Sequence, residues 1–202
     1  GLPTYAGRQG IADHDQSDLA LENGIRDLAG VPLSQPAGQG YEYSNDNYNI
    51  LGLIVQTVSG RTYEEYVQSA VFAPLEMRHS AATLSDPAAA DIATGYHYWF
   101  SWAVPFDASY PRRMTPSGFL ISSAEDMTHY LAAQLNGGAY GDSQILSPEG
   151  MVMLQTPGAS IGPTSAYAMG WVIESRSGST RIWHNGDVRN FHSNLLLLPD
   201  QH

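Results

Sequence analysis

The sequence contains neither cysteine nor lysine. Without cysteine the chain can form no disulfide and no thiolate metal site. Without lysine, all nine basic residues are arginines, and the 20 acidic residues outnumber them to give a formal net charge of −11. Because such an acidic surface repels phosphate backbones, we expect no nucleic-acid partner.

Long apolar runs are absent as well. No stretch approaches the ~18 consecutive apolar residues of a membrane-spanning helix, although the 202 residues are 43% hydrophobic and can bury a core. The chain starts at Gly1 without a methionine or the features of a signal peptide, and it stops at His202 directly after a predicted strand. We therefore expect a chain that is truncated at both ends.

Apolar spacing predicts a weak helix near residues 18–28 and a strong one after residue 44. Ser44 or Asn45 is the expected cap of the strong helix, and Gly60 is its expected end. Its apolar residues have the i, i+3, i+4, i+7 spacing of one helix face and are Leu51, Ile54, Val55 and Val58.

Three further helices are indicated by their first residues. Thr62 and Glu65 have the spacing of a capping box, Ser123 precedes an apolar stripe, and Ser147-Pro148 places a proline at the first helical position. Between these helices, residues 80–118 have no steady period and predict a long, aromatic-rich loop.

The last part of the chain predicts an antiparallel meander. Its β-like runs are 167–174, 180–184 and 193–198, separated by residues 176–179 and 185–190. Helices that are segregated from an antiparallel sheet define an α+β fold. We predict one partial domain over residues 1–202, with a helical region at about 1–160 and sheet strands at about 165–202.

Two short motifs carry side chains that suit acyl-transfer chemistry. Tyr43-Ser44-Asn45 lies at a loop-to-helix junction, where a nearby cation or the helix dipole can stabilise a tyrosinate that acts as a base. The Asn45 amide can orient a substrate amide or ester. His184-Asn185-Gly186 is expected at a strand end, where the small Gly186 lets a carbonyl approach and the N–H of Asp187 can donate to an oxyanion. Taken alone, the first motif is also an ordinary helix cap.

Segments in order along the whole chain resemble serine β-lactamases and penicillin-binding proteins. The closest branch is the one shared by class C β-lactamases, D-alanyl-D-alanine carboxypeptidases and related esterases, and the resemblance implies their α+β, β-lactamase/transpeptidase-like fold. The segments are 1–3, 41–48, 51–52, 58–60, Tyr66, 74–77, 116–127, 167–171, 184–187 and 191–193.

The resemblance also implies roles for single residues. Tyr43 matches the catalytic tyrosine, Asn45 the asparagine that binds the substrate amide, and His184-Asn185-Gly186 the Lys-Thr-Gly strand motif. Histidine, unlike lysine, is not always charged at neutral pH, so any support that it gives to a substrate carboxylate or a tyrosinate is conditional. The resulting assignment is catalytic for Tyr43, Asn45 and His184, and substrate-binding for Asn185, Gly186 and Asp187.

The implied activity is hydrolysis of a β-lactam, a D-alanyl peptide or a small ester through an acyl-enzyme, with no cofactor and at an extracytoplasmic location. The family's nucleophile motif, Ser-x-x-Lys, cannot lie in a chain without lysine. We therefore expect the parent protein to be active and the 202-residue chain to be silent. The alternative is a non-catalytic fragment or pseudoenzyme that acts as a binding or structural module.

The missing nucleophile segment also predicts an uncovered surface. In the family it lies upstream of the segment that Gly1 begins, and the helices at 45–59 and 124–135 would lack a partner for their apolar stripes. We expect the chain to associate with itself or to bind the missing N-terminal segment.

Three other patterns have weaker chemical interpretations. Residues 158–162 match the Gly-x-Ser-x-Gly elbow, but the predicted loop there lacks the strand and helix that would make Ser160 a nucleophile. The histidines have no metal-binding spacing; His184 and His192 could approach each other, but with only Asp187 as an acidic ligand we expect no metal. The aromatic residues at 96–102 predict a loop packed on the core or a wall of the substrate pocket.

Overall fold

The computed structural model describes residues 2–4, 14–106, 110–188 and 191–201. Within these ranges the helices are α1 (Ala20–Arg26), α2 (Asn45–Ser59), α3 (Tyr63–Val67), α4 (Thr115–Gly118), α5 (Ala124–Leu135) and α6 (Pro148–Leu154). The strands are β1 (Gly95–Trp99), β2 (Trp102–Phe106), β3 (Ala139–Tyr140), β4 (Ser143–Gln144), β5 (Ala159–Gly162), β6 (Ser165–Tyr167), β7 (Val172–Arg176), β8 (Ser179–Val188) and β9 (Phe191–Leu197). The α+β prediction is confirmed. None of the described helices is both long enough and apolar enough to cross a membrane.

Helix α2 has the predicted bounds, but its apolar stripe faces outward. Ser44 occupies the N-cap position, yet its hydroxyl donates to the carbonyl of Pro3 at 3.1 Å instead of capping the helix. Leu51, Ile54 and Val58 are 54%, 52% and 83% exposed. The stripe is therefore a surface of the described chain and not part of its core.

The packed side of α2 is set by Gly52. A Cβ at this position would lie 2.3 Å from Cγ of Pro116 in α4 and 3.5 Å from Cδ2 of Leu21 in α1. Only a glycine allows α2 and α4 to approach this closely. The helix thus packs on its neighbours through its smallest residue, which leaves the larger apolar residues free.

Helix α3 begins with the predicted capping box. The Glu65 N–H donates to Oγ1 of Thr62 at 3.2 Å, and the Thr62 N–H donates to the Glu65 carboxylate at 3.0 Å. The helix continues into a π-helical turn at Gln68–Phe72. This segment supplies Val67 and Phe72 to a core cluster that also contains Leu75, Met77, Ala82 and Ala133.

Helix α5 connects this core to the sheet. Its cap is the predicted one, because the Asp126 N–H donates to Oγ of Ser123 at 3.1 Å. Tyr130 packs on the first core and also on a second one, which consists of Trp171, Ile182 and Leu197. The stripe of α5 is therefore largely covered, contrary to the expectation for this helix. Leu135, at its end, is exposed.

Strands β5 to β9 form one antiparallel sheet in chain order. The sheet begins at Ala159, earlier than the predicted boundary near 165. The predicted run 167–174 is two strands, because the chain turns at Gly170 with a φ of 87°. Strand β8 continues to Val188 through residues that were predicted as loop. Pairing with β9 explains this difference, since a complete ladder outweighs the turn preference of Asn, Gly and Asp.

The predicted loop at 80–118 contains a β-hairpin. Strands β1 and β2 pair from Gly95↔Phe106 to Trp99↔Trp102, and the turn residues Phe100 and Ser101 have φ values of 45° and 69°. Its exposed aromatic residues are Tyr96, Tyr98, Trp99, Phe100 and Trp102. No other described helix or strand packs extensively on it. The interpretation of a loop packed on the core is therefore wrong.

Candidate active site

Tyr43 lies just before α2 and faces two rings from the sheet. Its ring centroid is 6.2 Å from that of Tyr167, edge to face, and 6.2 Å from that of His184. Tyr167 ends β6, and His184 lies in β8. The structure thus brings two of the predicted catalytic residues together and adds Tyr167 to them.

His184 was predicted at a strand end, but it lies within β8. Pairing between β7 and β8 stops at Val172↔Trp183, whereas β9 stays paired with β8 as far as Val188↔Phe191. From His184 onward, the β7 side of β8 therefore has no strand beside it in the described part of the chain. Such an edge leaves backbone N–H and C=O groups for a ligand.

A chain of hydrogen bonds links α2 to this part of the sheet. The hydroxyls of Tyr48 and Tyr167 are 3.2 Å apart, and the Tyr167 hydroxyl lies 3.1 Å from Nε2 of His184. On its other side, Nδ1 of His184 lies 2.6 Å from the carbonyl oxygen of Asn185. The side chains of Tyr48, Tyr167 and His184 come from distant segments and are thus held in one hydrogen-bonded arrangement.

The direction of these bonds follows from the carbonyl. A carbonyl oxygen only accepts, so Nδ1 of His184 carries a proton and donates it. In a neutral imidazole Nε2 is then an acceptor. Tyr167 therefore donates to His184, and Tyr48 donates to Tyr167.

Burial determines how the tyrosines of the site ionise. It raises the pKa of Tyr43, and the neighbouring Tyr48 adds to the rise. It also raises the pKa of Tyr167. No charged side chain in the described ranges offsets the rise at Tyr43. These residues by themselves therefore hold Tyr43 as a phenol, whereas the sequence led us to expect a cation-stabilised tyrosinate.

Asn45 is the first residue of α2 and is half-buried. Among the residues that the structure describes, no hydrogen bond holds its side chain. The amide is thus available to a ligand at the same helix end that follows Tyr43.

Asp187 presents its backbone, not its carboxylate, beside His184. It pairs with His192 across β8 and β9, and Oδ1 of Asp187 lies 3.4 Å from Nδ1 of His192, with both side chains exposed. Residues three apart in a strand face opposite sides of a sheet. The Asp187 side chain therefore lies on the face opposite to His184, and only its N–H remains as a candidate oxyanion donor.

Gly186 has a structural reason to be a glycine. A Cβ there would lie 2.5 Å from Oγ of Ser193 on β9. Asn185 is exposed, pairs with Asn194, and shares the face of Asp187. The predicted binding role of residues 185–187 is thus confined to the strand backbone and to the Asn185 carbonyl that holds His184.

The geometry does not favour the alternative sites. His192 pairs with Asp187, so His192 and His184 project from opposite faces of the sheet and cannot share a metal. Within the described ranges there is no cluster of His, Asp and Glu that could hold a metal ion. Ser160 lies in β5, which is followed by β6 and not by a helix, so the nucleophile elbow lacks its context.

Comparison with known proteins identifies the family. The family model described as Beta-lactamase matches residues 1–202. The chain belongs to the beta-lactamase family. A curated relative, Protein flp of Staphylococcus aureus, is 30% identical over 183 residues, which are 90% of this chain and 35% of that protein.

Two solved structures share the fold of this beta-lactamase family chain. The octameric penicillin-binding protein homologue from Pyrococcus abyssi aligns with a TM-score of 0.79 and 25% identity over 100% of this chain and 47% of its own. The penicillin binding protein from Bacillus halodurans aligns with a TM-score of 0.81 and 23% identity over 99% of this chain and 61% of its own. The chain therefore spans only part of each of these relatives.

Sequence reasoning missed two residues of the beta-lactamase-like site, Tyr48 and Tyr167. Both lie in segments that carry the family resemblance, but neither was assigned a role. The signal that could have found Tyr48 is its spacing, because it follows Asn45 by three residues and so shares a helix face with it. Tyr167 offers no comparable signal, since its partners lie 119 and 17 residues away.

Proposed function

We propose that the chain forms most of the active site of a serine hydrolase that acts through an acyl-enzyme on a β-lactam, a D-alanyl peptide or a small ester. The observation that carries the proposal is the meeting of Tyr43, Tyr167 and His184, whose ring centroids lie within 6.2 Å of one another, at an open strand edge. Membership of the beta-lactamase family supports hydrolysis. The structural relative at 25% identity is a penicillin-binding protein homologue, which supports a penicillin or a related acyl donor.

In this proposal Tyr43 donates the proton that the leaving group takes up, while the amine of the Ser-x-x-Lys motif accepts the proton of the attacking serine. Because burial raises its pKa, Tyr43 is a phenol in the resting site and acts first as this acid. The tyrosinate that results then accepts a proton from the water that attacks the acyl-enzyme, which restores the phenol. The protonated amine returns its proton to the serine as the acyl bond breaks.

The other predicted residues bind and orient in this proposal. Asn45 holds the acyl side chain through its free amide. The N–H of Asp187 donates to the oxyanion from the open edge of β8. In other hydrolases, removal of one such donor lowers kcat by up to ~10²–10³-fold. The His184 ring packs beside the Tyr43 ring and holds the phenol in place.

The nucleophile of the proposed enzyme lies outside these 202 residues, because a chain without lysine has no Ser-x-x-Lys motif. A protein that contains this chain together with that motif should be labelled on one serine by a fluorescent penicillin or a fluorophosphonate. The 202-residue chain alone should stay unlabelled, Ser160 included. An adduct on the isolated chain would instead show that it carries a nucleophile of its own.

The decisive variant is Tyr43→Phe in the protein that contains the motif. Loss of the phenolic proton should lower kcat by roughly 10²–10⁴-fold on esters and β-lactams, while the fold survives because only one hydroxyl is removed. Tyr66→Phe is the matched control, since Tyr66 on α3 is 38% exposed and Tyr43 is 37% exposed. Normal turnover of Tyr43→Phe would leave Tyr43 as a packing residue, whereas no turnover by the native protein would favour the non-catalytic alternative.

We also propose that the segment that supplies the nucleophile covers the apolar stripe of α2. The exposure of Leu51, Ile54 and Val58 supports this, because soluble monomers rarely leave such a row uncovered. The isolated chain should then self-associate and bind a hydrophobic dye, and Ile54→Ser with Val58→Ser should weaken both effects. Val152→Ser on α6, another exposed valine, is the control. A dye-silent monomer in sedimentation with a cooperative melt would contradict the proposal.

A further inference from the structure

The hydrogen bonds around His184 occupy both nitrogens of its ring. Nδ1 donates to the Asn185 carbonyl at 2.6 Å, and Nε2 receives the Tyr167 hydroxyl at 3.1 Å. The Tyr167 hydroxyl is itself held by Tyr48 at 3.2 Å. Neither nitrogen of His184 is therefore left to donate to a ligand.

We propose that Tyr167 is a positioning residue that keeps Nε2 of His184 occupied, and that the site therefore accepts neutral acyl groups in preference to acyl groups that carry a carboxylate. This inference rests on the proposed function, since it concerns the substrate of the same site. It adds a role for Tyr167 and a charge rule for the substrate.

Three observations lead from the tautomer to the charge rule. A carboxylate needs a cation or an N–H donor, and His184 has no free N–H in this arrangement. Among the described residues, no arginine lowers the pKa of Tyr41, Tyr43 or Tyr167, and the side chains that act on these hydroxyls are other tyrosines. The chain has no lysine and a net charge of −11, which repels an anionic substrate as it approaches.

The tautomer is tested first, by ¹⁵N–¹H correlation of the imidazole in the protein labelled at histidine. His184 should show one protonated nitrogen, Nδ1, in the native protein and in Tyr48→Phe, which keeps the bond from Tyr167. Tyr167→Phe should keep the proton on Nδ1, which the Asn185 carbonyl holds, but should shift the ¹⁵N resonance of Nε2 downfield, because that acceptor loses its hydrogen bond. An Nε2 resonance that does not move in Tyr167→Phe, or an Nε2–H form in the native protein, would overturn the positioning role.

The charge rule is tested by kinetics in the protein that contains the nucleophile motif. Nitrophenyl butanoate and the nitrophenyl monoester of glutaric acid differ mainly by a carboxylate, and the butanoate should have the higher kcat/KM. His184→Lys places a cation there and should shift the ratio towards the carboxylate ester by roughly 10- to 100-fold, the effect of a charge-assisted hydrogen bond. His184→Gln, which stays neutral, should leave the preference for the butanoate in place.

The outcomes separate this inference from the proposed function. Turnover of both esters with the glutarate preferred in the native protein would overturn the charge rule and leave the hydrolase proposal standing. Absence of turnover on every ester, in a protein whose His184 is the Nδ1–H tautomer, would overturn the hydrolase proposal and the charge rule with it. The role of Tyr167 as the donor that occupies Nε2 would then still be supported by the spectrum.

Discussion

Two polar clusters in this chain are built alike but placed differently. The Asp126 cluster consists of His79, Ser80, Ser122, Ser123 and Asp126. The Tyr167 cluster consists of Tyr48, Tyr167, His184 and the Asn185 carbonyl. Each joins segments that are distant in sequence through hydrogen bonds. Only the Tyr167 cluster lies at an open strand edge.

The Asp126 cluster is closed to ligands. Asp126 is 2% exposed, and its Oδ2 accepts from Oγ of Ser80 at 2.6 Å and from the N–H of His79 at 2.7 Å. Burial opposes the ionisation of Asp126, but these hydrogen bonds and the nearby His79 ring outweigh it and lower the pKa of the carboxyl. The cluster therefore fastens α5 to the segment that precedes Ala81.

The Tyr167 cluster has the same kind of bonds, yet its surroundings differ. Its rings are half-buried, and the Tyr43 ring beside them is partly exposed. The comparison teaches that a hydrogen-bonded network alone does not mark a functional site. A buried network whose charge is fully paired stabilises the fold, whereas a half-open network next to unpaired backbone can meet a substrate.

The largest expected effect on stability is that of Asp126→Ala. The variant removes the acceptor of two hydrogen bonds to a charged group, so that the His79 N–H loses this partner and the buried Ser80 hydroxyl keeps only Ser122. We expect the free energy of unfolding to fall by about 3 kcal/mol, measured by urea denaturation. Ser85→Ala, in an exposed turn, is the control and should cost less than ~0.5 kcal/mol.

The pH dependence of the milder variant Asp126→Asn has a definite sign. A carboxyl whose pKa is lowered on folding stabilises the protein above its unfolded pKa of ~3.9 and loses that contribution as the pH falls through the folded pKa. The stability difference between native protein and Asp126→Asn should thus be constant above about pH 5 and shrink below about pH 4. A stability difference that does not change with pH would show that the ionised carboxylate does not stabilise the Asp126 cluster. The contrast with the Tyr167 cluster would then be lost.

The two clusters also differ in how far the sequence predicts them. Local signals predict α5 and its cap, because Ser123 and Asp126 are neighbours in one turn, as are Thr62 and Glu65 at α3. The contact between Asp126 and Ser80 joins residues 46 apart and has no such signal. Caps depend on a few adjacent residues, whereas clusters depend on how the elements pack.

The errors of sequence reasoning have the same origin. Residues 185–188 were predicted as a loop because their local preference is for a turn, but pairing with β9 makes them a strand. The stripe of α5 was predicted to lack a partner, but the packing of Tyr130 on both core clusters covers it, whereas the stripe of α2 is exposed as predicted. The motifs still singled out Tyr43 and His184, which the structure brings together, because residue type and order along the chain do not depend on the secondary structure.

The smallest expected effect on stability is that of Tyr48→Phe in the Tyr167 cluster. The variant removes one hydrogen bond of 3.2 Å between two neutral hydroxyls, and the Tyr167 hydroxyl keeps its bond to His184. The half-open position lets water replace the lost donor. We therefore expect a loss of less than ~1 kcal/mol in the free energy of unfolding.

Tyr110→Phe is the matched control for Tyr48→Phe, because the change is chemically the same in a closed setting. The Tyr110 hydroxyl contacts the carbonyl oxygens of Ala82 and Phe119, and both carbonyls would lose this donor in the variant. The hydroxyl is buried, which raises the pKa of Tyr110 to about 12. We expect that variant to cost about 1–2 kcal/mol, more than Tyr48→Phe. If Tyr48→Phe instead costs as much as Tyr110→Phe, the Tyr167 cluster is as structural as the Asp126 cluster. Its openness would then not be the feature that separates the two.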